Sequence, residues 1–117
     1  MNLNSILIGS EDPLGLVRYY TKLFGSPGWD EGGYVGWQIG NGVLAVGPHD
    51  EVKGGNPQPG RIIWNIESPD VEGDFARLQA AGARVVREPY HPGDTTDYWI
   101  ATLSDPDGNY FQLVSPM

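Results

Sequence analysis

The chain has 117 residues, 7 Lys and Arg against 15 Asp and Glu, a net charge of −8 and no cysteine. That length suits one domain, and so acidic a chain lacks the cationic footprint a nucleic-acid partner needs. Without cysteine there is no disulfide, thiol nucleophile or thiolate metal site.

The 17 glycines and 10 prolines lie outside any low-complexity run, so they point to many turns rather than to disorder. No apolar stretch approaches the roughly 18 residues of a membrane span. The start, Met1-Asn2-Leu3-Asn4, lacks the basic and apolar segments of a signal peptide, so the expected compartment is the cytoplasm.

Ser5 to Gly9 reads as a short apolar strand. Asp12 is a helix N-cap and Pro13 suits the first helical position. Leu14, Val17, Tyr20, Leu23 and Phe24 recur at helical spacing, and Gly25 is the stop. Tyr34 to Gly47 alternates through Gly40-Asn41-Gly42 as a hairpin. Pro48 to Gly60 is rich in Pro, Gly and charge and reads as a loop.

The pattern then restarts. Arg61 to Ile66 is a predicted strand, and Asp70 caps a helix carrying Val71, Phe75, Leu78 and Ala81, with Gly82 as its stop. Gly73 inside that helix costs about 1 kcal/mol of propensity. Ala83–Val86, Tyr98–Leu103 and Tyr110–Val114 follow as strands. Both halves share a β-α-β-β-β order, and Gly25 and Gly82 end equivalent helices about 57 positions apart, a spacing for two modules rather than a solenoid.

The last two strands are joined by Asp105-Pro106-Asp107-Gly108-Asn109. Pro106 presets one turn dihedral, and Gly108 or Asn109 can take a positive φ. This closing hairpin, with Leu16-Val17-Arg18-Tyr19-Tyr20-Thr21-Lys22-Leu23-Phe24-Gly25 and Phe75-Ala76-Arg77-Leu78-Gln79-Ala80-Ala81-Gly82-Ala83, resembles the vicinal oxygen chelate superfamily. That group holds glyoxalases, extradiol dioxygenases and bleomycin-resistance proteins. The resemblance implies an α+β fold of tandem βαβββ modules in a single domain, residues 1–117. Module one is expected over about 1–54 and module two over about 60–117. It also implies a cup-shaped sheet, helices on its convex face, and pairing into a homodimer.

Metal enzymes of that superfamily take His or Glu ligands early and late in each module. Counting back from Asp12 places the first position at Ser5; the others are expected at Arg61, Gln112 and near Gly47. Serine is a poor ligand, a carboxamide is neutral, and a guanidinium cannot coordinate. A metal cofactor is therefore not expected. A shifted site drawn from His49 and His91 with Asp50, Glu51, Asp94 and Asp97 is the alternative, against a reading of both histidines as solvated loop residues.

The expected ligand-binding residues are Trp37, Arg61, Trp99, Tyr110, Gln112 and His49. Trp37 and Trp99 would stack on a flat molecule, although either can equally fill the core. Tyr110 and Gln112 share one strand face. Arg61 would meet an anionic group or pair internally with Glu67 or Glu88. Trp64 is expected to pack outward against the second helix. The loop from Gly47 to Gly54, with His49 and Lys53, and the segment from Tyr90 to Asp97 are candidate rims. No Gly-x-Ser-x-Gly elbow, Walker loop or dinucleotide fingerprint is present.

The function expected is metal-free small-molecule binding of the glyoxalase/bleomycin-resistance type, sequestering an aromatic or conjugated ligand. The alternative is a lyase, isomerase or dioxygenase-like enzyme of the same superfamily, with His49 as base and Arg61 stabilising an enolate. A structural or regulatory dimer is the third possibility.

Overall fold

Two serine hydroxyls set the frame. Ser10 and Ser68 are buried, and each Oγ accepts from the backbone N–H two residues on, at Asp12 (3.0 Å) and Asp70 (3.1 Å). Each aspartate then accepts from the N–H of a glycine, Gly15 at 3.3 Å and Gly73 at 3.0 Å. The result is two copies of one strand-to-helix junction, Ser-x-Asp-x-x-Gly, 58 positions apart. The glycines are there because a Cβ at either would run into the capping carboxylate.

The computed structural model describes residues 1–117, which form two compact units, Met1–Gly54 and Gly55–Met117. Unit one runs β1 (Ser5–Ser10), α1 (Pro13–Phe24), β2 (Trp29–Glu31), β3 (Tyr34–Ile39) and β4 (Gly42–Pro48). Its sheet has the order β1-β4-β3-β2, with β1 parallel to β4 and the other pairs antiparallel. Unit two runs β5 (Trp64–Glu67), α2 (Val71–Ala80), β6 (Arg84–Tyr90), β7 (Ile100–Ser104) and β8 (Tyr110–Val114). Its order is β5-β8-β7-β6, with β5 parallel to β8. This is the α+β, tandem βαβββ architecture expected.

In each unit one sheet face packs on the helix. In unit one Leu16, Tyr19, Tyr20 and Leu23 of α1 are buried, as are Val35, Trp37, Leu44 and Val46 of the sheet. In unit two Val71, Phe75 and Leu78 of α2 are buried, as are Ala101, Leu103, Phe111 and Leu113. Trp64 is on that same side, stacked on Phe111 with ring centroids 4.9 Å apart. Strand alternation leaves the second face of each sheet turned away from its helix.

Three elements add to or differ from the sequence reading. The strand that completes the first β-α-β-β-β half is β2, at Trp29–Glu31, a segment whose three residues are too few to show a period. The strand expected from Arg61 starts only at Trp64; Pro59–Arg61 is a 3-10 turn instead. Pro59 fixes its own φ, and Arg61 N–H closes the turn on Gln58 O at 3.1 Å. β6 continues past Val86 to Tyr90, through two irregularities in its pairing with β7.

The Asp105–Asn109 turn is a structural lock. Asp105 is fully buried, and its Oδ1 accepts from the N–H groups of Asp107 (2.9 Å) and Asn109 (3.0 Å). Asn109 Nδ2 donates to the other carboxylate oxygen at 3.0 Å. Asn56, just after the junction between units, donates to Asn109 Oδ1 and to Asp107 O at 3.0 and 2.7 Å. Gly108 takes φ 85°, the positive value the turn requires.

Candidate functional site

The face of the unit-one sheet turned away from α1 is built on glycine. β1 presents Ser5, Leu7 and Gly9 there, paired with Val43, Ala45 and Gly47 of β4. Gly36 follows on β3, paired with Ala45. Three of these positions carry no side chain, and each is roofed by a neighbour. Trp29 stands opposite Gly36 in the β2–β3 register, and its indole occupies the space a Cβ on Gly36 would fill. The Tyr34 ring does the same over Gly47, and a Cβ on Gly9 would come within 2.9 Å of His49 Cβ. The rings remain accessible: Trp29 is 44% exposed, Tyr34 39% and Leu7 56%. This face therefore offers aromatic rings and apolar side chains to solvent over a flat backbone floor.

Trp37, expected to stack on a ligand, is in the core instead. It is 2% exposed, packs on Tyr20 at 6.0 Å between ring centroids, and donates from Nε1 to Gly25 O at 2.9 Å. Its parity on β3 matches Val35, which faces α1. The tryptophan that meets solvent is Trp29, two residues before the start of the turn at Glu31–Tyr34. Its signal in the sequence was the Gly36 opposite it, which is legible only once β2 and its register are known.

On the unit-two sheet the corresponding face has a polar centre, bordered by Ile100 and Val114. Tyr110 pairs with Ser104, Gln112 with Thr102, and Asn65 with Gln112. Tyr110 and Gln112 thus share this face, and Gln112 Nε2 donates to Thr102 Oγ1 at 3.0 Å. Trp99, one step before β7, continues the ladder by accepting from Ser115 N–H at 3.1 Å. Alternation puts it with Ala101 and Leu103 rather than with Thr102. One face of its ring is taken by His91, with centroids 3.8 Å apart.

Arg61 is off the strand and exposed, and its guanidinium donates to Gln58 Oε1 at 3.2 and 2.9 Å. Its internal partner is an amide, not Glu67 or Glu88. The repeat bears on two of the positions that the resemblance implies. The 58-residue shift that relates the two caps sends Ser5 to Ile63, not to Arg61. Leu7 pairs with Ala45, while its counterpart Asn65 pairs with Gln112. The late position of unit one is therefore Ala45, two residues before Gly47. By this equivalence the positions that the resemblance implies become Ser5, Ala45, Ile63 and Gln112.

The two histidines are held differently. His49 Nδ1 accepts from Glu51 N–H at 3.1 Å, so in the neutral ring Nε2 bears the proton and can only donate. His91 Nδ1 lies 2.9 Å from Tyr98 O. A carbonyl can only accept, so in the neutral ring Nδ1 carries the proton and Nε2 keeps its lone pair. Lys53 pairs with Glu11 at 3.7 Å, and Gly54 N–H donates to the same carboxylate at 3.1 Å, which ties the 49–54 loop to the end of β1. Nowhere do three or more His, Asp or Glu side chains gather in a metal-binding cluster.

Residues 5–114 match the glyoxalase-like domain family. The chain belongs to that family, within the vicinal oxygen chelate superfamily. Solved structures agree at the level of the fold. A glyoxalase-related enzyme from Fulvimarina pelagi superposes with TM-score 0.74 at 22% identity, covering 98% of this chain and 88% of that one. A glyoxalase/bleomycin resistance protein/dioxygenase family enzyme from Burkholderia phytofirmans PsJN gives 0.73 at 19% identity, covering 100% of both chains. A glyoxalase/bleomycin resistance protein from Albidiferax ferrireducens T118 gives 0.72 at 18% identity, covering 97% of this chain and 98% of that one. No curated protein matches the chain. No helix of this glyoxalase-like domain is long and apolar enough to cross a membrane.

Proposed function

We propose that this glyoxalase-like protein is a metal-free small-molecule binding protein that sequesters an aromatic or conjugated ligand, as a homodimer. The observation that carries the reading is the pair of exposed rings, Trp29 and Tyr34, seated on Gly36 and Gly47. With Leu7 on the same face they form an exposed apolar group, the kind of grouping that marks a ligand-binding surface. Held over a flat backbone, they offer a stacking surface at little entropic cost, since the register already orders them.

The metal-free part rests on donor chemistry. Ser5, Ala45, Ile63 and Gln112 supply a hydroxyl, a methyl, a branched alkyl group and a carboxamide, which is not a set that holds a divalent cation.

Titration with a panel of polycyclic aromatic compounds, read by tryptophan fluorescence, tests the proposal. Stoichiometric quenching without turnover is expected. Trp29→Ala should weaken binding about 2- to 12-fold, the worth of one stacked pair. Gly36→Ala should do the same by lifting the indole off its seat. Repeated turnover by metal-stripped protein would overturn sequestration.

A second reading, a lyase, isomerase or dioxygenase-like enzyme, has one observation in its favour. His91 is oriented by Tyr98 O with Nε2 left as a proton acceptor. His91, not His49, is the base that reading requires, and His91→Gln should then abolish turnover without altering the fold.

A further inference from the structure

β6 shifts register against β7 twice, once on each side of Arg87. Val85 pairs with Leu103 and Arg87 with Thr102, so two steps along β6 match one along β7. Arg87 to Tyr90 then spans three steps against the two from Thr102 to Ile100. Each is a β-bulge, and each reverses the alternation. Without the first, Arg87 would share the helix-facing side with Val85. Without the second, Tyr90 would point away from Arg87. With both, Arg87 stands on the polar face opposite Thr102, and Tyr90 lies beneath it, the guanidinium carbon 3.4 Å from the ring centroid. Pro89 sits inside the second bulge, where the ladder demands no N–H.

The stacking has a chemical consequence. A guanidinium lying on an aromatic face uses that face, and its N–H groups point outward from the rim. Arg87 also completes a row across the whole sheet: Arg87, Thr102, Gln112 and Asn65 stand side by side on β6, β7, β8 and β5. Gln112 spends Nε2 on Thr102. Arg84, opposite Ser104, adds a second guanidinium to the same face. The acid that β5 places on this face, Glu67, is at the opposite edge, three strand spacings or about 14 Å away.

We propose that Arg87, held on Tyr90 by the paired bulges of β6, recognises a carboxylate of a small-molecule ligand on the polar face of unit two. The fork of a guanidinium matches a carboxylate in a planar, two-bonded geometry. A phosphate is the less favoured oxyanion, because a dianion meets the full repulsion of a chain of net charge −8 and finds no helix N-terminus on this face. The proposal goes beyond the stacking surface of unit one and does not depend on it.

The test is side-chain NMR on the intact protein with benzoate, phenyl phosphate and benzamide as probes. Benzoate should shift the Arg87 Nε–H and Gln112 amide signals, and benzamide should not. Arg87→Gln should weaken benzoate binding about fivefold, the scale of an exposed ion pair. Arg87→Lys and Tyr90→Leu should give intermediate losses, one by removing the fork and the other by removing its platform. Trp29→Ala should leave the benzoate shifts in place, which separates this assignment from the stacking proposal. Unchanged benzoate affinity in Arg87→Gln, or stronger shifts with phenyl phosphate, would overturn it.

Discussion

Trp29 and Trp37 show how far one side chain's environment governs its role. Trp37 fills the space between α1 and its sheet and spends its N–H on Gly25 O. Truncating it to alanine should cost about 3–5 kcal/mol, the usual range for a large buried aromatic. Trp29 covers one cross-strand glycine from a three-residue edge strand, so Trp29→Ala should cost about 1 kcal/mol or less. Urea denaturation of the two variants is the check. A Trp29 variant as unstable as the Trp37 variant would make the exposed indole a core residue and remove its case as a binding group.

The strand-to-helix junctions behave as a unit, and the cost assigned to Gly73 changes when they are seen. On propensity alone, Gly73→Ala should gain about 1 kcal/mol. In the structure the new Cβ would meet the Asp70 carboxylate, displacing a cap that is itself worth about 0.5–2 kcal/mol. Gly73→Ala is therefore expected to be neutral or destabilising in the native background. In an Asp70→Ala background the same change should stabilise by about 1 kcal/mol, since there is no cap left to displace. Thermal unfolding of the four proteins closes this cycle. β6 makes the complementary point: its bulges, not its composition, decide which way Arg87 faces.

For the molecule as a whole, the proposed homodimer should sediment at about twice 12.8 kDa at micromolar concentration. Elemental analysis of protein purified without chelator should find far less than one zinc, nickel, iron or manganese per chain. Ligand titrations should be unchanged by EDTA. A full equivalent of bound metal would mean donors other than Ser5, Ala45, Ile63 and Gln112, and would return the enzyme reading to first place.

The order of elements, the paired caps, the helix stops at Gly25 and Gly82 and the closing turn were legible in the residues themselves. They depend on interactions a few positions apart, and such interactions leave local marks: a capping aspartate, a helical period, a positive-φ glycine. The faces of the sheets were not legible in the same way. Which tryptophan is exposed, which arginine reaches the polar face and which residues repeat the ligand positions all depend on strand pairing between segments far apart in the chain. One extra residue in a strand reverses every side chain beyond it, and neither the short β2 nor the bulges of β6 carry a local signature strong enough to announce themselves. The fold could be read along the chain because its causes are short-ranged; the candidate site could not, because register is a property of two strands together.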